Sequence, residues 1–277
     1  MVIGDATASN LTRGVALRID IDIEIDILGT VSVTVNGCQR ELRANKLRAM
    51  LAVLALDAGR AVSFVDLADE LWAGGQLGNA RNALQAHATR LRKVLDTPGA
   101  KGTVLRAVRN GYLLDVPSES VDGNRFLRLA DHGSAVLRAD PRRALELFQS
   151  ALRLWRGPAL LDAGDGLRCG GAAALFEERR LTLWEDLVNA RLAIGEEREA
   201  VAELRQLVAQ YPLRERFCEQ LMLALYRSGR QGDALELFHR TRQWLDRELG
   251  LRPGVPLQRR HAEILAHDPV LSQPAVR

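Results

Sequence analysis

Residues 79–112, NARNALQAHATRLRKVLDTPGAKGTVLRAVRNGY, carry the densest candidate chemistry in the chain. Seven cations (Arg81, Arg90, Arg92, Lys93, Lys101, Arg106 and Arg109) face a single acid, Asp96, giving a net +6 where the whole chain totals only +3. Positive charge gathered on one segment suits a polyanionic partner, because neutralising phosphates releases condensed counterions. Leu84, Ala88, Leu91 and Leu95 recur at the spacing of one helix face. A helical step then places Asn82, Ala86, Thr89 and Lys93 on the opposite face, with Gln85 and Arg90 beside it. Arg and Gln can bond base edges bidentately, and the methyl of Ala86 can touch a thymine methyl, so these six residues are the candidate base readers. Arg81, His87 and Arg92 fall nearer the sides of the helix, where phosphate contacts are expected. Arg109 precedes Asn110-Gly111 at a hairpin tip and is a candidate for the minor groove. Tyr112 is a phosphate candidate or, equally, a half-buried sheet aromatic. Lys46 and Arg48, at the start of an earlier helix, either approach a phosphate backbone or simply form a charged first turn.

Such a helix needs a scaffold. Leu17, Ile19, Ile21, Ile23, Ile25 and Ile27 alternate with Arg18, Asp20, Asp22, Glu24 and Asp26, the period-two pattern of a half-buried strand. The alternate acids read as its solvent face, which also discourages edge pairing. Gly29 breaks the run; Val31, Val33 and Val35 resume it, Asn36-Gly37 signals a type I′ hairpin, and 39–42 can pair back. A helix is expected over 45–58 with Gly59 as its stop, and a second after Ser63, with Asp66 in a capping arrangement. Residues 73–78 read as a flexible turn, 80–95 as the third helix, and 104–108 and 112–116 as two strands of a terminal hairpin. Sheet, three helices and hairpin in this order give an α+β winged helix-turn-helix with a small antiparallel sheet added in front.

Residues 117–122 are polar and read as a linker, and everything beyond is helical. An echo at a spacing of 34 pairs Leu187 with Leu221, Ala190 with Ala224, Gly195 with Gly229, Ala200 with Ala234 and Leu204 with Phe238. Trp184 and Pro212 sit where a tetratricopeptide unit places those residues. An earlier segment, 143–151, has the same small-then-aromatic spacing, and a Gly-rich insertion at 157–171 interrupts its partner unit. The expected organisation is a frayed N-terminus at 1–16, a winged domain at 17–117, an all-α tetratricopeptide-like domain of about three helix pairs at 122–268, and a tail at 269–277. Three scattered cysteines with no CxxC suit a reducing cytoplasm, and the scattered histidines form no zinc pattern. No cofactor and no metal are expected. His261 and His267, six apart, miss a shared helical face. No secretory signal is read at the N-terminus, and the longest apolar run, 49–56, is far short of the ~20 residues a membrane helix requires. An enzyme is disfavoured. GxxxxGK[ST], GxGxxG after a strand and GxSxG are all missing, and Gly164, Gly166, Gly170 and Gly171 lack the lysine and strand of a phosphate loop.

The pieces Leu28-Gly29 with its Val-rich strand, LRAMLAVLAL, LADELW, LQAHATRLRKVL and NGYLLDV, then ALRLWRGPAL, YPLRE, LMLALYRSGRQGDALELF and RELGLRPGVPL, occur in one order across 17–271. Together they resemble the Streptomyces antibiotic regulatory proteins, activators built from an OmpR-like winged helix and a bacterial transcriptional activation domain. The resemblance implies direct-repeat operators beside a promoter −35 element, binding as a dimer on DNA, contact with RNA polymerase and its housekeeping sigma factor, and control of a secondary-metabolite cluster. It implies Arg90 and Ala86 on bases, Arg92 and His87 on phosphates, Arg109 in the minor groove, and sigma contact by the loop containing Gly74, Gly75, Gln76 and Leu77. The chain departs from the OmpR-like pattern at Asn82 and Thr89, where Arg is frequent, and in a hairpin one residue short of the usual GTGY ending. Two readings compete with a promoter-binding activator. One is a tetratricopeptide interaction scaffold whose winged part only docks; the other is a repressor using the same DNA-binding domain.

Overall fold

The computed structural model describes residues 22–72, 79–96 and 103–272. The expectations for the N-terminus, for the start of the first strand, for the Gly74, Gly75, Gln76 and Leu77 loop, for Lys101 and for the end of the tail lie outside these residues.

Strands β1 (Ile23–Asp26), β2 (Ser32–Val35) and β3 (Cys38–Arg40) form an antiparallel meander. Val35 opposes Cys38, so the loop is Asn36-Gly37 alone. Both residues take the positive φ that a type I′ turn demands, 50° and 74°. Ile23, Ile25, Val33 and Val35 are buried. The opposite face is less open than alternation suggests, because Asp26 accepts from the Ser32 hydroxyl at 2.8 Å.

Helix α1 (Asn45–Leu56) is buried without interruption from Ala49 to Ala55, so apolar neighbours must surround it. It packs against α2 (Phe64–Trp72), α3 (Ala80–Leu95) and a helix of the second half. Ser63 accepts from the Asp66 backbone N–H at 3.0 Å and donates to its carboxylate at 2.8 Å, the capping arrangement expected from sequence. The hairpin strands are β5 (Leu105–Val108) and β6 (Gly111–Leu114). A strand the sequence did not suggest, β4 (Ala61–Ser63), pairs with β6 and completes a sheet in the order β4-β6-β5. Its approach depends on Gly111, where a β-carbon would lie 1.8 Å from the Val62 carbonyl oxygen.

The second half is α4 (Asp122–Val136), α5 (Pro141–Leu152), α6 (Leu167–Ile194), α7 (Glu197–Gln210), α8 (Glu215–Arg227), α9 (Gln231–Leu249) and α10 (Val255–Leu265). The echo of 34 is physical: Leu187, Leu221, Ala190, Ala224, Ala200, Ala234, Leu204 and Phe238 are all buried. Gly195 and Gly229 turn the chain between paired helices at φ 83° and 75°. Residues 269–272, expected in the tail, instead form a 3-10 turn that buries Leu271. None of the described helices is long and apolar enough to cross a membrane.

The polar stretch 117–122 is not a loose link. Val121 is buried and bridges Ile25, and the buried Asp122 carboxylate accepts from the backbone N–H groups of Ile27 (2.7 Å) and Leu28 (3.1 Å). The Gly-rich insertion does separate α5 from α6, but it is held in place. Its backbone runs along the end of β1, with Arg156 N–H donating to Leu28 at 2.8 Å, Leu160 N–H to Ile27 at 2.7 Å and Leu161 N–H to Gly29 at 3.1 Å. One apolar core therefore extends from Ile23 through α1 and α3 to Ala190 in α6, and a second runs from Val188 to Leu271. The break between cores falls inside α6, not at the polar stretch.

Candidate nucleic-acid interface

Helix α3 spans the residues expected, and Leu84, Ala88, Leu91 and Leu95 are completely buried against the winged core. That anchoring turns Arg81, Asn82, Gln85, Ala86, Thr89, Arg90 and Lys93 into solvent, while His87 and Arg92 are half-buried on its flanks. All six candidate base readers thus share one open face. Thr89 donates its hydroxyl hydrogen to the Gln85 carbonyl at 2.9 Å, which leaves its methyl and oxygen lone pairs for an outside contact.

The flanks are braced by aromatics. The Arg81 guanidinium lies 5.1 Å over the Phe64 ring, Phe64 meets Tyr112 edge-on at 5.4 Å, and Arg92 lies 5.7 Å over Tyr112. Arg92 also donates Nε–H to the Leu105 carbonyl at 2.9 Å, tying α3 to β5. Tyr112 is 4% exposed, and burial pushes its phenol pKa up. Its burial makes it the sheet aromatic of its two readings, with too little exposed surface to serve as a phosphate contact. His87 packs on Trp72 at 6.1 Å; burial, then the charges of Arg90 and Lys46, hold its pKa below the ordinary value. Lys46 donates its ammonium to the Leu71 carbonyl at the end of α2.

Arg48 departs from expectation. Its guanidinium reaches Asp162 at 2.9 Å and the Leu42 carbonyl at 2.6 Å, and the Asp162 carboxylate also accepts from Val31 N–H at 2.7 Å. Arg48 is a strut between the two halves of the molecule, not a free phosphate ligand. Arg109 and Asn110 form the exposed two-residue turn between Val108 and Gly111, and the Asn110 carbonyl accepts from Phe64 N–H at 2.8 Å. The wing is thereby fastened to the start of α2. Sequence reasoning gave neither Phe64 nor Trp72 a bracing role; their places at the two ends of α2 were the available signal.

Charge pairing is sparse on this surface. In the helical half, Arg143, Arg179, Arg191, Arg214 and Arg260 all lie within ion-pair distance of carboxylates. Among the described residues no ion pair involves Arg81, Arg90, Arg92, Lys93 or Arg109. Arg106, by contrast, is paired with Asp115 at 2.9 Å. Unpaired cations on one helix and one hairpin tip produce a field suited to phosphates.

Residues 40–114 match the family described as transcriptional regulatory protein, C terminal, and residues 121–265 match that described as bacterial transcriptional activator domain. The chain is 60% identical over 256 residues to the transcriptional regulator RedD of Streptomyces coelicolor, covering 91% of this chain and 73% of RedD. It is 37% identical to the regulatory protein DnrI of Streptomyces peucetius, covering 89% of this chain and 93% of DnrI. The chain belongs to the Streptomyces antibiotic regulatory protein family. A solved structure of Mycobacterium tuberculosis EmbR in complex with a low affinity phosphopeptide superposes with a TM-score of 0.85 at 31% identity, covering 90% of this chain and 66% of that one. Membership of the Streptomyces antibiotic regulatory proteins makes this chain a transcriptional regulator with an OmpR-like DNA-binding domain joined to an activator domain. Its relatives are named as regulators and not as enzymes.

Proposed function

We propose that the chain is a sequence-specific activator that binds direct repeats beside a promoter −35 element and recruits RNA polymerase with its housekeeping sigma factor, serving a secondary-metabolite gene cluster. The observation carrying this reading is the open face of α3, where exposed donors and acceptors are surrounded by cations that no carboxylate neutralises. Asn82, Gln85, Ala86, Thr89, Arg90 and Lys93 lie on base edges. Arg81, His87, Arg92 and Lys46 hold phosphates, and Arg109 enters the minor groove. Repeats about one turn apart (~10–10.5 bp) let two protomers share a face of the duplex.

Footprinting on the DNA upstream of neighbouring operons, followed by transcription with purified polymerase, tests the reading. Protected tandem repeats and raised transcript support it. An unprotected promoter, with whatever affinity remains insensitive to salt, turns the molecule into an interaction scaffold; protection with lowered transcript turns it into a repressor.

A further inference from the structure

The second core leaves an apolar hollow on its outer side that transcriptional regulation does not account for. Helices α7 and α9 both lean on α8 without packing along one another, and the gap between them is about 750 Å³. Its floor is Cys218, Leu221 and Leu225 of α8, its walls include Val208 and Leu237, and Trp244 closes one end. A neighbouring hollow of about 490 Å³ shares Pro212 and Trp244 and continues past Tyr211 to Leu213, whose side chain is 62% exposed. Volumes of this order are typical of small-molecule sites.

The polar groups of the hollow define what it can hold. At the floor, Thr241 donates its hydroxyl to the Cys218 sulfur at 3.7 Å, and burial pushes the Cys218 thiol pKa up, so the floor offers neither charge nor an unmet hydrogen bond. Hydrocarbon belongs there, because a charged group would lose hydration with nothing in return. On the α9 rim, Arg230 bonds Asp233 at 2.7 Å and Arg240 lies 3.8 Å from Glu236, so those charges cancel locally. On the facing α7 rim, Arg205 is exposed and its guanidinium makes no hydrogen bond or ion pair among the described residues. The hollow thus combines an apolar interior with one uncompensated cation at its edge.

We propose that this groove binds a small amphipathic monoanion, a hydrocarbon body bearing one carboxylate or sulfonate, with the body over Leu221 and Leu225 and the anionic head at Arg205. A polyanion does not fit this chemistry, since a second negative charge would meet only the balanced α9 pairs or the apolar floor. The site belongs to the second core and not to α3, so it stands or falls independently of promoter binding.

Fluorescence titration of the full chain with 1-anilinonaphthalene-8-sulfonate provides the test, with decanoate and the uncharged decanol as competitors. Saturable binding of one dye per chain is expected, displaced by decanoate about tenfold more effectively than by decanol. Arg205→Gln removes that preference and leaves decanol unchanged. Ala209→Trp, at an exposed position lining the groove, fills the hollow and abolishes dye binding without shifting the melting temperature. The proposal is overturned if no saturable binding is found, if binding survives Ala209→Trp, or if Arg205→Gln weakens decanoate and decanol equally.

Discussion

Glu70 offers a direct measure of how firmly the two halves are joined. It sits on α2 and is only 7% exposed, yet its carboxylate accepts from the backbone N–H groups of Arg168 (2.9 Å) and Cys169 (2.8 Å) in the first turn of α6. It therefore caps a helix of the other half through space, serving donors that no residue before α6 satisfies. Glu70→Ala strands one buried and one part-buried donor. Hydrogen bonds to a charged group contribute roughly 1.5–3 kcal/mol each and are not fully additive, so a loss of ~3 kcal/mol is expected. At roughly 2–4 °C per kcal/mol for a body this large, the melting temperature should fall by about 6–12 °C. Glu70→Gln keeps the shape and one acceptor, and should cost about half as much. Gly166 supplies the internal control. A β-carbon there would lie 2.1 Å from the Glu70 carboxyl carbon, although its φ of −70° and ψ of 151° suit any residue. Gly166→Ala should thus cost ~2 kcal/mol beside Glu70 and almost nothing beside Ala at position 70, a coupling visible in a double-mutant cycle followed by circular dichroism. Strictly additive losses, or a Glu70→Ala loss of about 0.5 kcal/mol, the scale of an ordinary surface change, would refute the capping argument.

Two further outcomes concern the α3 surface. Arg90→Ala should relax preference at one base pair by ~1–3 kcal/mol, whereas Arg92→Ala should weaken all sequences alike and reduce the salt slope by about 1. Because Arg92 also holds the Leu105 carbonyl, its variant alone should melt earlier; equal sequence-independent losses for both variants would contradict the division. The depressed pKa of His87 fixes the sign of a pH effect. A base that is harder to protonate when folded adds stability that is full above about pH 6.5 and is lost as pH falls through the folded value. His87→Gln should therefore flatten the decline in melting temperature from about pH 7 towards pH 5.5, and an unchanged profile would count against the burial of that ring.

What could be read in advance was what repeats. Leu84, Ala88, Leu91 and Leu95 announced both the bounds and the open face of α3, and Asn36-Gly37 announced its hairpin, because each pattern is local. The echo of 34 located the turns at Gly195 and Gly229 for the same reason. What stayed hidden depended on partners far along the chain. Strand β4 is three residues long and exists only because Gly111 lets it approach β6. Arg48 looked like a free cation until Asp162 came to it across the fold. Residues 117–122 and 157–171 have the polarity and glycine content of connectors, and nothing in their own spacing shows that their backbone groups and Asp122 bond to Ile27, Leu28 and Gly29.

That stitching of the Gly-rich segment along the end of β1 also determines where the molecule can point. With α3 seated in a major groove, the helical half has no swivel through which to search for a partner; its heading is dictated by which side of the duplex the groove faces. Under the proposed function, moving the operator by about five base pairs, roughly half a turn of B-DNA, would aim that half away from the polymerase it is proposed to recruit while leaving every proposed protein–base contact intact. On that reading the phase of the operator, and not merely its distance from the start site, becomes part of the regulatory code.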